Sequence, residues 1–375
     1  MSGHWRPVHR AAIASPYDAF AFAPARRFTD TTLRQIVHLH RGGPTLRLHV
    51  DNRFGRTPLE VGELRVARHL GAGRIGPDAL VTAGAAKSFT VAAGERVITD
   101  AVALTLPDDV ELAISLYLPG TTPWATLHPD AGQISYARQG NSTAVTALFE
   151  AEELSSLYWL SGVDALTDSP AEPVVVAFGD SLTDGTGTTP NTNQRYPDHL
   201  SRALGLPVLN LGLSGNRLLR DGFGQAGVTR FQRDVLAVPG LTHVIIALGT
   251  NDIGLPTMWD QPQPGAAEII EGLTLLAEAA RAAGVLTLAA TLPPTSGTVY
   301  GEFFTAEGDL IRRAVNRWIR ESPLFTGVVD FDAAVRDPGY DLAYRAELDS
   351  GDHLHPNDAG AAAMAAAVPL AAFGR

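Results

Sequence analysis

The sequence predicts two units of different class: an all-β sandwich of jelly-roll type, followed by an α/β unit on a doubly wound parallel sheet. Three observations point there. Up to about residue 155, short apolar or alternating runs are separated by Gly, Pro and Asp, and helix patterns are scarce. After about residue 170, continuous apolar runs such as residues 174–178 take over, as expected of strands buried on both faces. Between those runs lie segments with apolar residues at helical spacing, so strands and helices alternate in the βαβ manner.

Residues 34–40 and 45–51 are the first predicted strands. In the second, Leu46, Leu48 and Val50 alternate with Arg47 and His49, the period of a half-buried strand. Arg41-Gly42-Gly43-Pro44 supplies the turn between them. Further strands are predicted at 59–70, 88–92, 101–106, 110–118 and 143–151. Residues 1–155 are thus assigned to the sandwich and 156–172 to a linker containing Ser169-Pro170 and Glu172-Pro173. Residues 173–375 form the α/β unit. Its five strands are predicted at 174–178, 208–213, 244–248, 286–290 and 328–331. Ile269, Leu273, Leu276 and Ala280 mark a helix over 268–283, ended by Gly284; Leu310, Ala314, Trp318 and Ile319 mark another over 307–321. An Ala-rich helix closes the chain.

Composition narrows the function classes. The 375 residues carry 29 Lys and Arg against 40 Asp and Glu, a net charge of −11. An acidic surface is a poor match to nucleic acid, which is not expected as a partner. Cysteine is absent, which excludes disulfides, thiolate nucleophiles and Cys-ligated metal centres. No apolar run approaches the roughly 18–20 residues of a membrane-spanning helix, so no membrane partner is expected. The first residues lack the ~7–15-residue apolar run of a secretory signal, which makes the cytoplasm the expected location.

In a doubly wound sheet, ligands sit at the carboxyl ends of the strands. Gly179-Asp180-Ser181-Leu182 follows the first strand, Ser214-Gly215-Asn216 the second and Gly249-Thr250-Asn251-Asp252 the third; Asp352-His353-Leu354-His355-Pro356 comes after the fifth. A hydroxyl, a glycine amide, a side-chain amide and an Asp–His pair are the groups acyl transfer needs. A serine is a weak nucleophile until an imidazole takes its proton, and the imidazole needs a carboxylate to fix its tautomer. The tetrahedral intermediate needs donors aimed at its oxyanion. Taken singly, each block has a plainer reading. Gly-Asp-Ser-Leu can cap a strand–helix turn, Gly-Thr-Asn-Asp can be an Asx turn, and Asp352 can cap a helix before Pro356. All four in order at corresponding strand ends favour the chemistry.

In these blocks the chain resembles the SGNH or GDSL hydrolases over roughly residues 173–375. The resemblance implies a five-stranded flavodoxin-like domain with Ser181 as nucleophile, His355 as general base and then acid, and Asp352 as its orienting carboxylate. It implies an oxyanion hole from the Ser181 and Gly215 backbone N–H groups and the Asn251 side chain. More loosely, Leu33-Arg34-Gln35, Gly42-Gly43 and Asp51-Asn52-Arg53-Phe54-Gly55 resemble the β-sandwich, similar to a carbohydrate-binding module, that precedes this domain in some carbohydrate esterases.

His353 competes with His355, which the family spacing favours; Asp180 is read as structural. The turn after the first parallel strand, beginning at Gly179, does not form Gly-x-Gly-x-x-Gly, so a dinucleotide is not expected, nor any other cofactor. His38, His40 and His49 lie on neighbouring strands, but no carboxylate pattern accompanies them and no metal is expected. Met258, Trp259, Tyr300, Phe303 and Phe304 are read as an apolar substrate wall on the strand-end loops, with Trp124, His128 and Tyr136 of the sandwich as candidates to cover it. The expected reaction is transfer of an acyl group from Ser181 to a hydroxyl of a small, natural-product-like acceptor, the design that some actinobacterial GDSL enzymes of polyketide tailoring resemble, with ester hydrolysis as side activity. A plain carboxylic ester hydrolase or carbohydrate deacetylase is the alternative, and a non-catalytic carbohydrate-binding protein the remote one.

Overall fold

The computed structural model describes residues 3–167 and 172–375. The chain divides into two compact units, Met1–Glu172 and Pro173–Arg375.

The first unit is all-β and antiparallel among its described residues. A six-stranded sheet runs in the order Glu152–Leu154, Ser135–Gln139, Thr29–Leu39, Val110–Thr121, Glu63–His69 and Ile75–Val81. A five-stranded sheet holds His4–Arg10, Leu160–Thr167, Gly43–Asp51 and Arg96–Ile98, with Val102–Leu106 also paired to Gly43–Asp51. One apolar cluster takes Leu33, Val37, Leu112 and Leu116 from the first sheet and Leu46, Leu48, Val50 and Val163 from the second. Alternation thus sends every second side chain of both sheets inward, which is the packing of a sandwich.

Several sequence expectations fail in this unit. Residues 143–151 form no strand. Their carbonyls turn to other partners: Val145 O accepts from the buried Arg34 Nη2 at 2.7 Å, and Thr146 O accepts from Ile75 N–H at 2.9 Å. Residues 156–172 are not a linker throughout. Leu160–Thr167 is an inner strand between His4–Arg10 and Gly43–Asp51, with Val163 and Ala165 facing the core. The remainder of that expected linker includes residues 168–171, which lie outside the described residues. The run expected at 59–70 is broken at Gly62 into Leu59–Val61 and Glu63–His69. His128, a candidate cover, is buried, with Nδ1 2.7 Å from Ala12 O and Nε2 3.0 Å from Asp130 O. Tyr136 packs on Ile36, Ala67, Ile75 and Ala113; Trp124 is exposed.

The second unit is α/β. Its five strands are all parallel and lie in the order Val208–Gly212, Val174–Gly179, Leu241–Ala247, Leu286–Ala290 and Gly327–Val329. That is the doubly wound order 2-1-3-4-5. Gly179 pairs with both Gly212 and Ala247, so the first three strands end level and their loops emerge side by side. Val175, Ala177, Ile245 and Leu288 pack with Tyr196, Leu200 and Met364 of flanking helices on one face. Ile269, Leu273 and Leu276 are buried on the helix Ala266–Ala282. The last strand is shorter than predicted because Asp330 leaves it to cap the helix Phe331–Val335, accepting from Ala333 N–H. Among the described residues no helix is long and apolar enough to cross a membrane.

Candidate active site

Ser181 is placed by a cap. The first strand ends at Gly179, and Asp180 stops the extended chain by accepting the Leu182 N–H at 3.0 Å. Ser181 is therefore the first residue of the helix Ser181–Asp184 and is nearly buried. Asp352 is placed by a turn that it makes itself. Its Oδ1 accepts the N–H groups of Leu354 at 2.9 Å and His355 at 2.8 Å, folding the loop so that Oδ2 lies 2.5 Å from His355 Nδ1. The other ring nitrogen, Nε2, lies 2.8 Å from Ser181 Oγ. A hydroxyl, an imidazole and a carboxylate thus stand in one hydrogen-bonded series, 171 or more residues apart along the chain in the case of Ser181 and its partners. Gly187 backs the histidine at φ +92°; a Cβ there would meet Pro356 O at 2.5 Å and His355 Cβ at 3.1 Å.

Burial pushes the Asp352 carboxyl up, but the hydrogen bond and charge of His355, with the His355 and Leu354 N–H groups, outweigh it. The net result holds Asp352 well below the usual carboxylate range. Two further hydroxyls serve it: Ser350 Oγ donates to Oδ1 at 2.9 Å and Tyr300 OH to Oδ2 at 3.2 Å. The Tyr300 ring also stands edge-on to His355, centroids 6.0 Å apart.

Gly215 has φ +74°, a conformation suited to glycine. The loop before it is clamped to the serine helix, because Ser214 N–H and Oγ both donate to Asp184 Oδ2, at 2.9 and 2.8 Å. Asn251, buried on the helix Thr250–Met258, donates from Nδ2 to Asn216 O at 3.1 Å. Asn216 is in turn fixed by Arg230, whose Nε donates to its Oδ1 at 2.9 Å. The Arg230 Nη groups donate to Leu211 O and Gly179 O. One buried guanidinium therefore ties the ends of the first two strands to the loop that Asn251 touches. Burial lowers its pKa to about 10, which leaves it cationic.

Two carboxyls beneath this layer shift the other way. Burial raises Asp252 to about 6, against the opposing N–H groups of Leu218 and Leu219. Burial raises Asp180 to about 7; the Leu182 N–H opposes this and the Asp252 charge reinforces it. A folded value above the unfolded one, near 3.9, means that the folded chain holds this proton longer. Stability is thus expected to decline as pH rises from about 4 to 7. Asp180→Asn keeps an acceptor for Leu182 N–H and should reduce that decline by on the order of 1–2 kcal/mol. Denaturant melts of both proteins at pH 5 and pH 8 check this; equal declines would contradict it.

His353 does not join the series. Its Nδ1 bonds Asp349, and its side chain is half exposed. Of the expected aromatic wall, Phe303 is buried in a cluster with Leu255 and Leu354, against which Trp259 and Phe223 pack. The Trp259 and Phe223 rings are 5.8 Å apart, and the Arg217 guanidinium carbon lies 5.6 Å from the Trp259 ring centre. Met258 and Phe304 stand outside that cluster, and Tyr300 is engaged with Asp352 and His355 instead. The roles of Asp184, Arg230 and Ser350 were missed from sequence. Only Asp184 offered a hint, as an acidic residue one turn after the serine.

Residues 177–363 match the GDSL-like lipase/acylhydrolase family. No protein of curated function matches the chain. Among solved structures, a GDSL-like lipase from Bacteroides thetaiotaomicron is 20% identical, covering 54% of this chain and 91% of its own, with a TM-score of 0.42. A carbohydrate acetylesterase from Sinorhizobium meliloti is 20% identical, covering 52% and 95%, with a TM-score of 0.40. A family 2 carbohydrate esterase with a carbohydrate-binding domain, from Corynascus thermopiles, is 14% identical over the whole of both chains, with a TM-score of 0.42. Likenesses this distant carry nothing about substrate. The family match and the strand order together identify the C-terminal unit as a GDSL-like, or SGNH, lipase/acylhydrolase domain.

Proposed function

We propose that this enzyme cleaves small-molecule esters through an acyl-Ser181 intermediate and passes the acyl group to a hydroxyl. The observation that carries the reading is the series Ser181 Oγ, His355 Nε2, His355 Nδ1, Asp352 Oδ2, with gaps of 2.8 and 2.5 Å. Ser181 Oγ attacks the ester carbonyl carbon while His355 Nε2 takes its proton. Asp352 holds the tautomer with Nδ1–H and offsets the charge of the imidazolium. The Ser181 and Gly215 N–H groups and Asn251 Nδ2 receive the oxyanion. The tetrahedral species collapses, and the leaving alkoxide takes the proton from Nε2. A second hydroxyl then repeats the sequence against acyl-Ser181 and leaves the serine free.

Asn251→Ala is expected to lower kcat by about 10²–10³, with KM little changed, because its hydrogen bond strengthens mainly in the transition state. Steady-state kinetics on a chromogenic ester separate the two; a change confined to KM would remove Asn251 from the oxyanion hole.

The second hydroxyl belongs to an alcohol acceptor in preference to water. The apolar cluster of Leu255, Phe303 and Leu354 adjoins His355 in sequence, and Trp259 and Phe223 extend it, which supports a surface for a bulky partner. Water at about 55 M is outcompeted only if the acceptor is bound and oriented, for which effective molarities of about 10⁵ M are attainable. Trp259→Ala is expected to lower the ratio of transfer to hydrolysis about 2–10-fold, the worth of one aromatic contact. The test is the product ratio at fixed acyl donor and rising polycyclic or glycosidic alcohol. If no alcohol diverts acyl from water, the enzyme is a hydrolase.

A further inference from the structure

A second cluster of ionisable side chains lies on the six-stranded sheet of the N-terminal unit. In the strand Thr29–Leu39 the alternation that sends Leu33, Val37 and Leu39 into the sandwich core puts Arg34, Ile36 and His38 on the opposite face. His40 continues that alternation just past the strand end. Across the ladder, Val110 pairs with Leu39 and Glu111 with His38, so Asp109 comes to stand opposite His40. Its N–H donates to His40 O at 3.4 Å. Strand pairing therefore supplies the carboxylate that the local sequence around His38 and His40 lacks, from 69 residues further along the chain. His49 takes no part: its Nε2 lies 3.0 Å from Asp164, in the other sheet.

Asp109 Oδ1 is 3.0 Å from His38 Nε2 and 3.9 Å from His40 Nδ1. The two imidazoles meet edge to face at 4.4 Å, and one donor atom from each of the three residues falls within 4.8 Å of the others. Donors held ~2.0–2.2 Å from one ion lie roughly 3–4 Å apart, so small side-chain rotations would bring all three onto it. The imidazoles are preorganised, with side chains 5% and 10% exposed, while the Asp109 side chain is 64% exposed and leaves a path from solvent.

We propose that His38, His40 and Asp109 bind a divalent transition ion of the Zn²⁺ type, with water completing its coordination. Two nitrogens and one carboxylate suit such an ion, whereas Mg²⁺ and Ca²⁺ favour all-oxygen sets. The ion joins the end of one strand to the turn that opens the next. It binds the folded chain and raises its stability by mass action. No step of the ester chemistry uses it.

The test uses the untagged full chain, stripped with a chelator and dialysed. Co²⁺ is titrated with detection of its visible absorption, and Zn²⁺ and Mg²⁺ by calorimetry and thermal melting. The expected result is one equivalent of Co²⁺ or Zn²⁺ bound in the micromolar range or tighter, with Tm raised by Zn²⁺ and unmoved by Mg²⁺. His40→Gln and Asp109→Asn should each weaken binding by about tenfold or more. His353→Gln, which removes the exposed histidine paired with Asp349, should leave it unchanged. Melts of the stripped variants show that they are folded; if one is not, the other decides. Absence of saturable binding by the wild type, or binding that survives both substitutions, overturns the proposal.

Discussion

Ser181→Ala is expected to lower turnover of any ester substrate by at least about 10⁴-fold, because the covalent step loses its nucleophile. The fold should survive. The hydroxyl's hydrogen bond is to His355, while the turn is held by Asp180 and by the backbone of the short helix. Residual rate above water is expected from the oxyanion donors alone. Single-turnover kinetics with an activated ester, beside a melting curve, make the comparison. A variant with wild-type Tm and undiminished turnover would remove Ser181 from the reaction.

Asp352→Asn is expected to cost about 10⁴ in kcat. The asparagine oxygen can still accept the Leu354 and His355 N–H groups, so the loop geometry is retained. Its amide nitrogen, however, would face His355 Nδ1 as a donor. The imidazole would then carry its proton on Nε2, pointing at the serine it must deprotonate. The sign of the pH effect on stability follows from the depressed carboxyl. Its folded value lies below the unfolded one of about 3.9, so its stabilising contribution is complete above that pH and is lost as pH falls through the folded value. The variant should therefore be less sensitive to acid than the wild type. Parallel kinetics and acid unfolding of the two proteins measure both effects; an unchanged kcat would contradict the role given to Asp352.

The candidate site of the second unit was legible because it is written in short blocks. Gly179–Leu182, Gly249–Asp252 and Asp352–Pro356 are each local, and each builds its own cap or turn from adjacent residues. Continuous apolar strands such as Val174–Gly179 were legible for the same reason. What joins the blocks was not. Arg230 reaches Gly179, Leu211 and Asn216, and Asp184 reaches Ser214, through space that no sequence period encodes. Tyr300 looked like an apolar wall residue because its ring is visible in the sequence and the destination of its hydroxyl is not. In the sandwich, Leu160–Thr167 was mistaken for a connector because Gly162 and Asp164 interrupt its apolar residues; Asp164 is in fact buried beside Arg10, Arg47 and His49. The cluster of His38, His40 and Asp109 was hidden because its carboxylate arrives by strand pairing.

The most direct measurement is covalent capture. The enzyme is treated with a fluorophosphonate, digested, and its peptides mapped by mass spectrometry, with residual esterase activity followed in parallel. One phosphonyl group on Ser181, appearing at the rate at which activity is lost and absent from Ser181→Ala, is the predicted result. Modification of a different serine in step with inactivation, or full activity with Ser181 completely modified, would contradict the account.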